Sequence, residues 1–341
     1  MLKRLISAVA AAALMLGISV TAFAETAYVE EEVGIPPSML VMGDSIATGF
    51  ALEGYDQSKE NCESYANILK KRYEAELPAD CGFNLKNVAV DGQTSTELLS
   101  ALNSGKFDAD IAGFDCIVIS IGGNDLLDAL WDTLKDIGVG IGSGDIGITD
   151  IVKMAASFGD LKDKLDENLA VFDSNIKAIA GYIKGRAKGE LIIQTLYDPF
   201  QGFKKVPGIA SIAQEKIAKL DEAIKLHAGD ADGGYTVCDV APDFDGKAEE
   251  LTRIELIDIH PNADGHKVIA EVLDKTIRAK KYHYLKAVEV QAPAAEEKEN
   301  DGTNVWLIVG IAAAAVAVGA VVTVIIIRKN RAAVNGKDIN E

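Results

Sequence analysis

The sequence predicts an α/β domain built on a parallel sheet with helices on both faces, followed by one membrane span near the C-terminus. Three observations predict it. Short β-like runs alternate with helical ones from residue 38 to residue 280, the order that gives parallel strands joined by helical crossovers. Residues 115–121 (DCIVISI) form a continuous apolar run that stops at Gly122-Gly123, as a strand buried on both faces does. Residues 305–327 carry no charge and are long enough to cross a hydrocarbon core as a helix.

The two ends set the expected organisation. Residues 1–24 hold Lys3 and Arg4, an apolar run and then Ala22-Phe23-Ala24, the layout of a secretory signal peptide. Arg328, Lys329 and Arg331 follow the apolar run directly, and positive charge beside a span marks the cytoplasmic side. The order expected is a signal peptide (1–24), an outside domain (25–285), a stalk (286–304), a transmembrane helix (305–327) and a short cytoplasmic tail (328–341). The stalk is rich in Ala, Pro and Glu and lacks apolar periodicity, so it reads as extended chain with a reach on the order of 60 Å.

The formal net charge of −18 argues against nucleic acid as a partner and against docking by charge on anionic lipid. Cys116 and Cys238 sit in apolar, strand-like runs and read as buried thiols. Cys62 and Cys81 flank a helical stretch and can pair as a disulfide where the compartment is oxidising. No cysteine or histidine spacing resembles a zinc site.

Within the outside domain, residues 38–42 read as a short strand and 64–76 as a helix. A second strand is expected at 86–90, a helix at 95–103, the central strand at 115–121 and a long helix at 169–184. Strands at 190–196 and 235–240 enclose a helix at 210–228, and a helix at 266–280 closes the domain. Residues 126–165 break the alternation with an apolar helical piece, a glycine-rich stretch and a second amphipathic piece. An insertion of that length at a sheet's functional edge reads as a lid or substrate wall.

Four turns carry residues able to do chemistry, all after strands, where active groups gather in parallel sheets. The first strand ends in Gly43-Asp44-Ser45, just before a helical stretch. A serine there is a nucleophile only with a base in reach, and otherwise it caps the helix. The second ends in Asp91-Gly92, where glycine lets backbone approach a ligand. The third ends in Gly122-Gly123-Asn124-Asp125, which presents a side-chain amide. The last turn is Asp258-Ile259-His260-Pro261-Asn262. His260 lies beside a carboxylate in a polar turn, whereas His227, His266 and His283 read as surface or capping histidines.

These four segments resemble, in order and spacing, the blocks of the SGNH, or GDSL, hydrolases, here in a membrane-anchored form, and the resemblance runs from about residue 38 to residue 280. It implies a flavodoxin-like three-layer α/β/α sandwich and a serine ester hydrolase. In that reading Ser45 attacks an ester carbonyl and His260 takes its proton. The backbone N–H groups of Ser45 and Gly92 and the amide of Asn124 hold the oxyanion. No metal or organic cofactor is implied.

The sequence departs from the family at one place. The aspartate that orients the histidine usually stands three residues before it, and that position is Ile257. Asp258, two before, reaches the ring if the segment is extended, because residues i and i+2 project to one side. Glu255 is a second choice, and a serine–histidine dyad held by a backbone carbonyl is a third. The substrate is an acyl ester of lipid-like or aryl/alkyl type, for which the apolar insertion speaks, or an O-acetyl group on carbohydrate. A surface binding module that kept the fold without the activity is the alternative of another class.

Overall fold

The structure, a computed structural model, describes residues 25–55, 58–78, 81–138, 148–201, 208–230, 234–254 and 258–290. The strands are β1 (Glu25–Val33), β2 (Ser38–Gly43), β3 (Asn84–Asn87), β4 (Cys116–Ser120), β5 (Glu190–Gln194), β6 (Thr236–Cys238), β7 (Thr252–Arg253), β8 (Asp258–Pro261) and β9 (Tyr282–Val290). The helices before the insertion are α1 (Ser45–Thr48), α2 (Tyr65–Glu76), α3 (Ser95–Asn103) and α4 (Asp108–Gly113). Then come α5 (Gly123–Asp136), α6 (Ile148–Ala156), α7 (Phe158–Lys184), α8 (Ile209–His227), α9 (Ala241–Phe244), α10 (Ala248–Leu251) and α11 (Ala263–Arg278).

Five strands form the central sheet in the order β3-β2-β4-β5-β6, and every pairing is parallel. All residues of β2 and β4 are buried, which is why these strands read as unbroken apolar runs rather than alternating ones. The step from β2 to β3 and the step from β3 to β4 run in opposite directions across the sheet. Right-handed crossovers therefore put α2 and α3 on opposite faces. Helices α2 and α11 pack together as one layer, while α3, α5 and α8 each pack on α7 in the other. In α7, Phe172, Ile176, Ile179 and Ile183 are buried, the three-and-four spacing of a helix laid on a sheet.

The reversal leaves a crevice between the carboxyl ends of β2 and β4, the place where open parallel sheets bind ligands. Two glycines let the chain turn there. Gly43 has φ +124°, and a Cβ on it would stand 1.8 Å from the Ser120 carbonyl oxygen of the neighbouring strand. Gly122 has φ +119°, and its Cβ would meet the Phe172 ring at 2.7 Å. Any side chain at either position pushes apart the strand ends that carry Ser45 and Asn124.

Several expectations change. The strand expected at 86–90 is Asn84–Asn87, although Val88 N–H and Val90 N–H still donate to the Val41 and Gly43 carbonyls. The long helix begins at Phe158 rather than at residue 169. The two arms of the 126–165 insertion are helices with Leu126, Ala129, Leu161 and Leu165 buried in the core, and residues 139–147 between them lie outside the described residues. Strand β9 runs to Val290, past the expected stalk boundary at 285, and pairs with β1.

Cys62 and Cys81 are not joined. The buried Cys62 thiol lies 3.7 Å from the Thr48 carbonyl and against Gly49. Cys116 and Cys238 are buried, and burial pushes both thiols up to about 12. Among the described residues no helix is long and apolar enough to cross a membrane. The signal peptide expected at 1–24, the rest of the stalk, the span at 305–327 and the tail lie outside those residues.

Candidate active site

Ser45 opens the one-turn helix α1, directly after Gly43 and Asp44. Asp44 caps that turn by accepting the Ile46 N–H at 3.0 Å, which leaves the Ser45 N–H without an intrahelical partner. The Ser45 hydroxyl lies 2.9 Å from His260 Nε2. On the other side of the ring, Nδ1 lies 2.5 Å from Asp258 Oδ1, and the same oxygen accepts the His260 backbone N–H at 3.0 Å. The extended strand β8 makes this possible, since it turns Asp258 and His260 to one side. The position three before the histidine, and Glu255, lie outside the described residues.

The histidine strand is held from behind. The Tyr197 hydroxyl donates to the Ile259 carbonyl at 2.8 Å. The amide of Asn262 accepts the N–H groups of Asp264 and Gly265, capping α11, and donates to the Glu250 carbonyl at 2.6 Å. Burial alone would raise the Asp258 carboxyl. The backbone N–H and ring of His260, and then the Arg253 charge, outweigh it and hold the carboxyl below the usual range.

Gly92 occupies a left-handed turn at φ +75°, in the loop that continues from β3 alongside the end of β2. Asn124, in the first turn of α5, donates from Nδ2 to the Gln93 carbonyl at 3.1 Å. That bond ties the asparagine to the Gly92 turn and leaves its second amide hydrogen available. Asp125 accepts the Ser95 N–H and hydroxyl at 2.9 and 2.5 Å. The structure thus gathers Ser45, His260 and Asp258 into one hydrogen-bonded chain, with Gly92 and Asn124 on adjoining turns.

Other contacts had no sequence signal. Phe50 sets its ring 4.8 Å from the His260 ring, centroid to centroid. Asp91 accepts the hydroxyls of Thr48 and Tyr55, each at 2.5 Å, joining α1 to the Gly92 turn. His227 and His266 are not surface residues. His227 lies between Asp230 and Asp173 at 3.0 and 2.9 Å. His266 is fully buried, accepts the Tyr65 N–H at 3.2 Å, and is pushed down to about 3 by burial.

Asp44 is 1% exposed. Burial, with the Asp125 and Asp91 charges adding to it, pushes its carboxyl up to about 7. A carboxyl raised on folding stabilises the fold below its unfolded pKa near 3.9 and loses that advantage as pH rises toward 7. A shift of roughly 3 units corresponds to about 4 kcal/mol. Asp221, also pushed up to about 7 by burial, loses stability over the same window. Asp44→Asn keeps a cap acceptor and removes the buried charge. Urea unfolding should find the variant more stable than the parent by about 2–4 kcal/mol at pH 8, with the gain shrinking toward pH 4. Equal slopes of stability against pH in the two proteins would refute this.

A model of the GDSL-like lipase/acylhydrolase family matches residues 41–268, which takes in all four turns. The chain belongs to this family. The uncharacterized protein YpmR of Bacillus subtilis (strain 168) is 23% identical over 203 residues, or 57% of this chain and 66% of that protein. The chain therefore spans just under two thirds of this relative's length. Among solved structures, the lipase Lip_vut3 from a goat rumen metagenome superposes with a TM-score of 0.52 at 19% identity, covering 70% of this chain and 96% of that one. An extracellular lipase from Streptomyces rimosus gives 0.50 at 19% identity, covering 70% and 99%. At such identities the likeness lies in the fold.

Proposed function

We propose that this GDSL-family protein is a serine carboxylester hydrolase that works through an acyl-enzyme on Ser45. The observation that carries the reading is the unbroken chain from the Ser45 hydroxyl through both nitrogens of His260 to Asp258, at 2.9 and 2.5 Å. His260 Nε2 takes the hydroxyl proton as Ser45 Oγ bonds to the ester carbonyl carbon. The oxyanion that forms is met by the Ser45 and Gly92 N–H groups and the Asn124 amide. Collapse expels the alcohol, which takes the proton from His260. Water then repeats the sequence and releases the acid.

An apolar cleft along α5, the helix that carries Asn124, favours an apolar acyl chain. It holds about 50 Å³ of open space, room for a short acyl chain, and its walls include Leu127, Leu130, Leu165, Phe200, Ile212 and Ile217. Leu127 stands one turn along α5 from Asn124, on the same side of the helix. The walls present almost no polar surface to a sugar. Each methylene buried there contributes about 0.8 kcal/mol, so p-nitrophenyl butanoate, with two more methylenes than the acetate, should exceed it in kcat/KM by about tenfold. A profile that favours acetate, with acetate released from an acetylated oligosaccharide, would move the assignment to a carbohydrate O-acetylesterase. A phosphonate ester should label Ser45 stoichiometrically, as mass spectrometry of the modified peptide can check. Absence of both labelling and turnover would leave only a binding module. The signal-like N-terminus and the charge-flanked apolar run support a cell-surface enzyme tethered by its C-terminus, with the domain outside.

A further inference from the structure

With Asp258 only two residues before His260, one carboxylate oxygen serves both the ring and the backbone N–H of the histidine. Its other oxygen would be left unpaired in a partly buried strand, at a cost. Arg253 occupies that position. Its Nε donates to Asp258 Oδ2 at 2.8 Å, across the antiparallel pair that β7 and β8 form at these two residues. One of its terminal nitrogens, Nη1, donates to the Ala51 carbonyl at 2.7 Å.

Ala51 is not an arbitrary acceptor. It sits at φ +65°, a left-handed conformation that is uncommon for a residue with a Cβ. Its neighbour is Phe50, whose ring lies against the imidazole of His260. One planar group therefore grips the carboxylate that holds one edge of the imidazole and the loop that covers its face. An exposed ion pair contributes little because its members swing freely. Two directed bonds from two nitrogens to separate elements restrict that swing.

We propose that Arg253 is a positioning residue for the reaction of Ser45 and His260, fixing Asp258 with one nitrogen and the Phe50–Ala51 loop with another. The proposal rests on the serine-hydrolase reading of the site. Lysine cannot replace it fully, because an ammonium lacks the fork that reaches both acceptors. Misplacing a catalytic group by a fraction of its bond length slows chemistry more than it weakens binding.

The test compares the full chain with Arg253→Met, which keeps much of the apolar stem, and Arg253→Lys. Steady-state hydrolysis of p-nitrophenyl esters should lose about 10- to 100-fold in kcat in Arg253→Met, with KM changed by less than about twofold. Arg253→Lys should recover part of that loss. The far-downfield proton resonance of the His260 ring N–H, assigned by its absence in His260→Ala, should broaden or vanish in Arg253→Met and persist in Arg253→Lys. An unchanged kcat together with an unchanged resonance overturns the proposal. So does a loss that tracks a lowered melting temperature and that Arg253→Lys does not recover. If Ser45→Ala hydrolyses as fast as the parent, the hydrolase reading falls instead, and the resonance alone decides whether Arg253 holds the Asp258–His260 pair.

Discussion

Replacing Ser45 by alanine is expected to lower kcat on a p-nitrophenyl ester by about 10⁶-fold, and His260→Ala by nearly as much. The serine is a usable nucleophile only while Nε2, 2.9 Å away, can take its proton, so each residue is worth little without the other. The double variant should therefore be no slower than either single one. What survives in all three should exceed the uncatalysed rate by roughly 10³–10⁴-fold, because the proposed oxyanion donors remain. Both substitutions remove atoms of the Ser45–His260–Asp258 chain alone: Ser45 opens the one-turn helix α1, and the His260 side chain is 16% exposed. Melting temperatures should accordingly stay close to the parent's. Kinetics on protein whose mass is verified, to exclude traces of parent enzyme, would check this. Losses that multiply in the double variant would mean two independent contributions and would sink the nucleophile–base pairing.

Much of this site is legible in the sequence because it is built from strand ends. A fully buried parallel strand must be apolar throughout, so β2 and β4 announce themselves, and Ser45 and Asn124 follow them directly. Spacing along β8 likewise brings Asp258 and His260 to one side without reference to anything distant. What could not be read is whatever depends on closure of the chain. Arg253 reaches Ala51 across a separation of 202 residues, and nothing near either residue signals the meeting. Phe50 reads as an ordinary exposed aromatic until the ring of His260 is set beside it. The burial of His266 depends on α2, whose Tyr65 N–H fills the ring's acceptor; by itself a histidine early in a helix looks like a capping residue. The ribbons β7–β8 and β1–β9 lie outside the central sheet, and the β–α alternation that signals that sheet gives no sign of them. The arms of the insertion are helices whose Leu126, Leu161 and Leu165 lie in the core, which its break in the alternation does not signal.

Asp258→Asn is expected to slow hydrolysis by about 10⁴-fold near neutral pH, with little change in KM. In the parent, Asp258 Oδ1 is 2.5 Å from Nδ1, and an ionised carboxylate can only accept there. The proton therefore resides on Nδ1, and Nε2 faces Ser45 with its lone pair. The forces that hold the Asp258 carboxyl below the usual range keep it an acceptor even in mildly acidic solution. An asparagine amide removes the charge that stabilises the imidazolium formed when His260 takes the serine proton. It can also present N–H to the ring, which favours the tautomer with its proton toward Ser45, the wrong one for a base. Arg253 adds to the effect, since its Nε would face either a neutral oxygen or another donor. Glu255→Gln supplies the comparison: it should leave kcat within about twofold, since Asp258 already fills the Nδ1 partner position. If Asp258→Asn keeps more than about a tenth of the parent rate while Glu255→Gln does not, Glu255 is the orienting carboxylate. If both keep it, the imidazole is oriented without a carboxylate, and the site is a serine–histidine dyad in which the Asp258 contact contributes to packing alone.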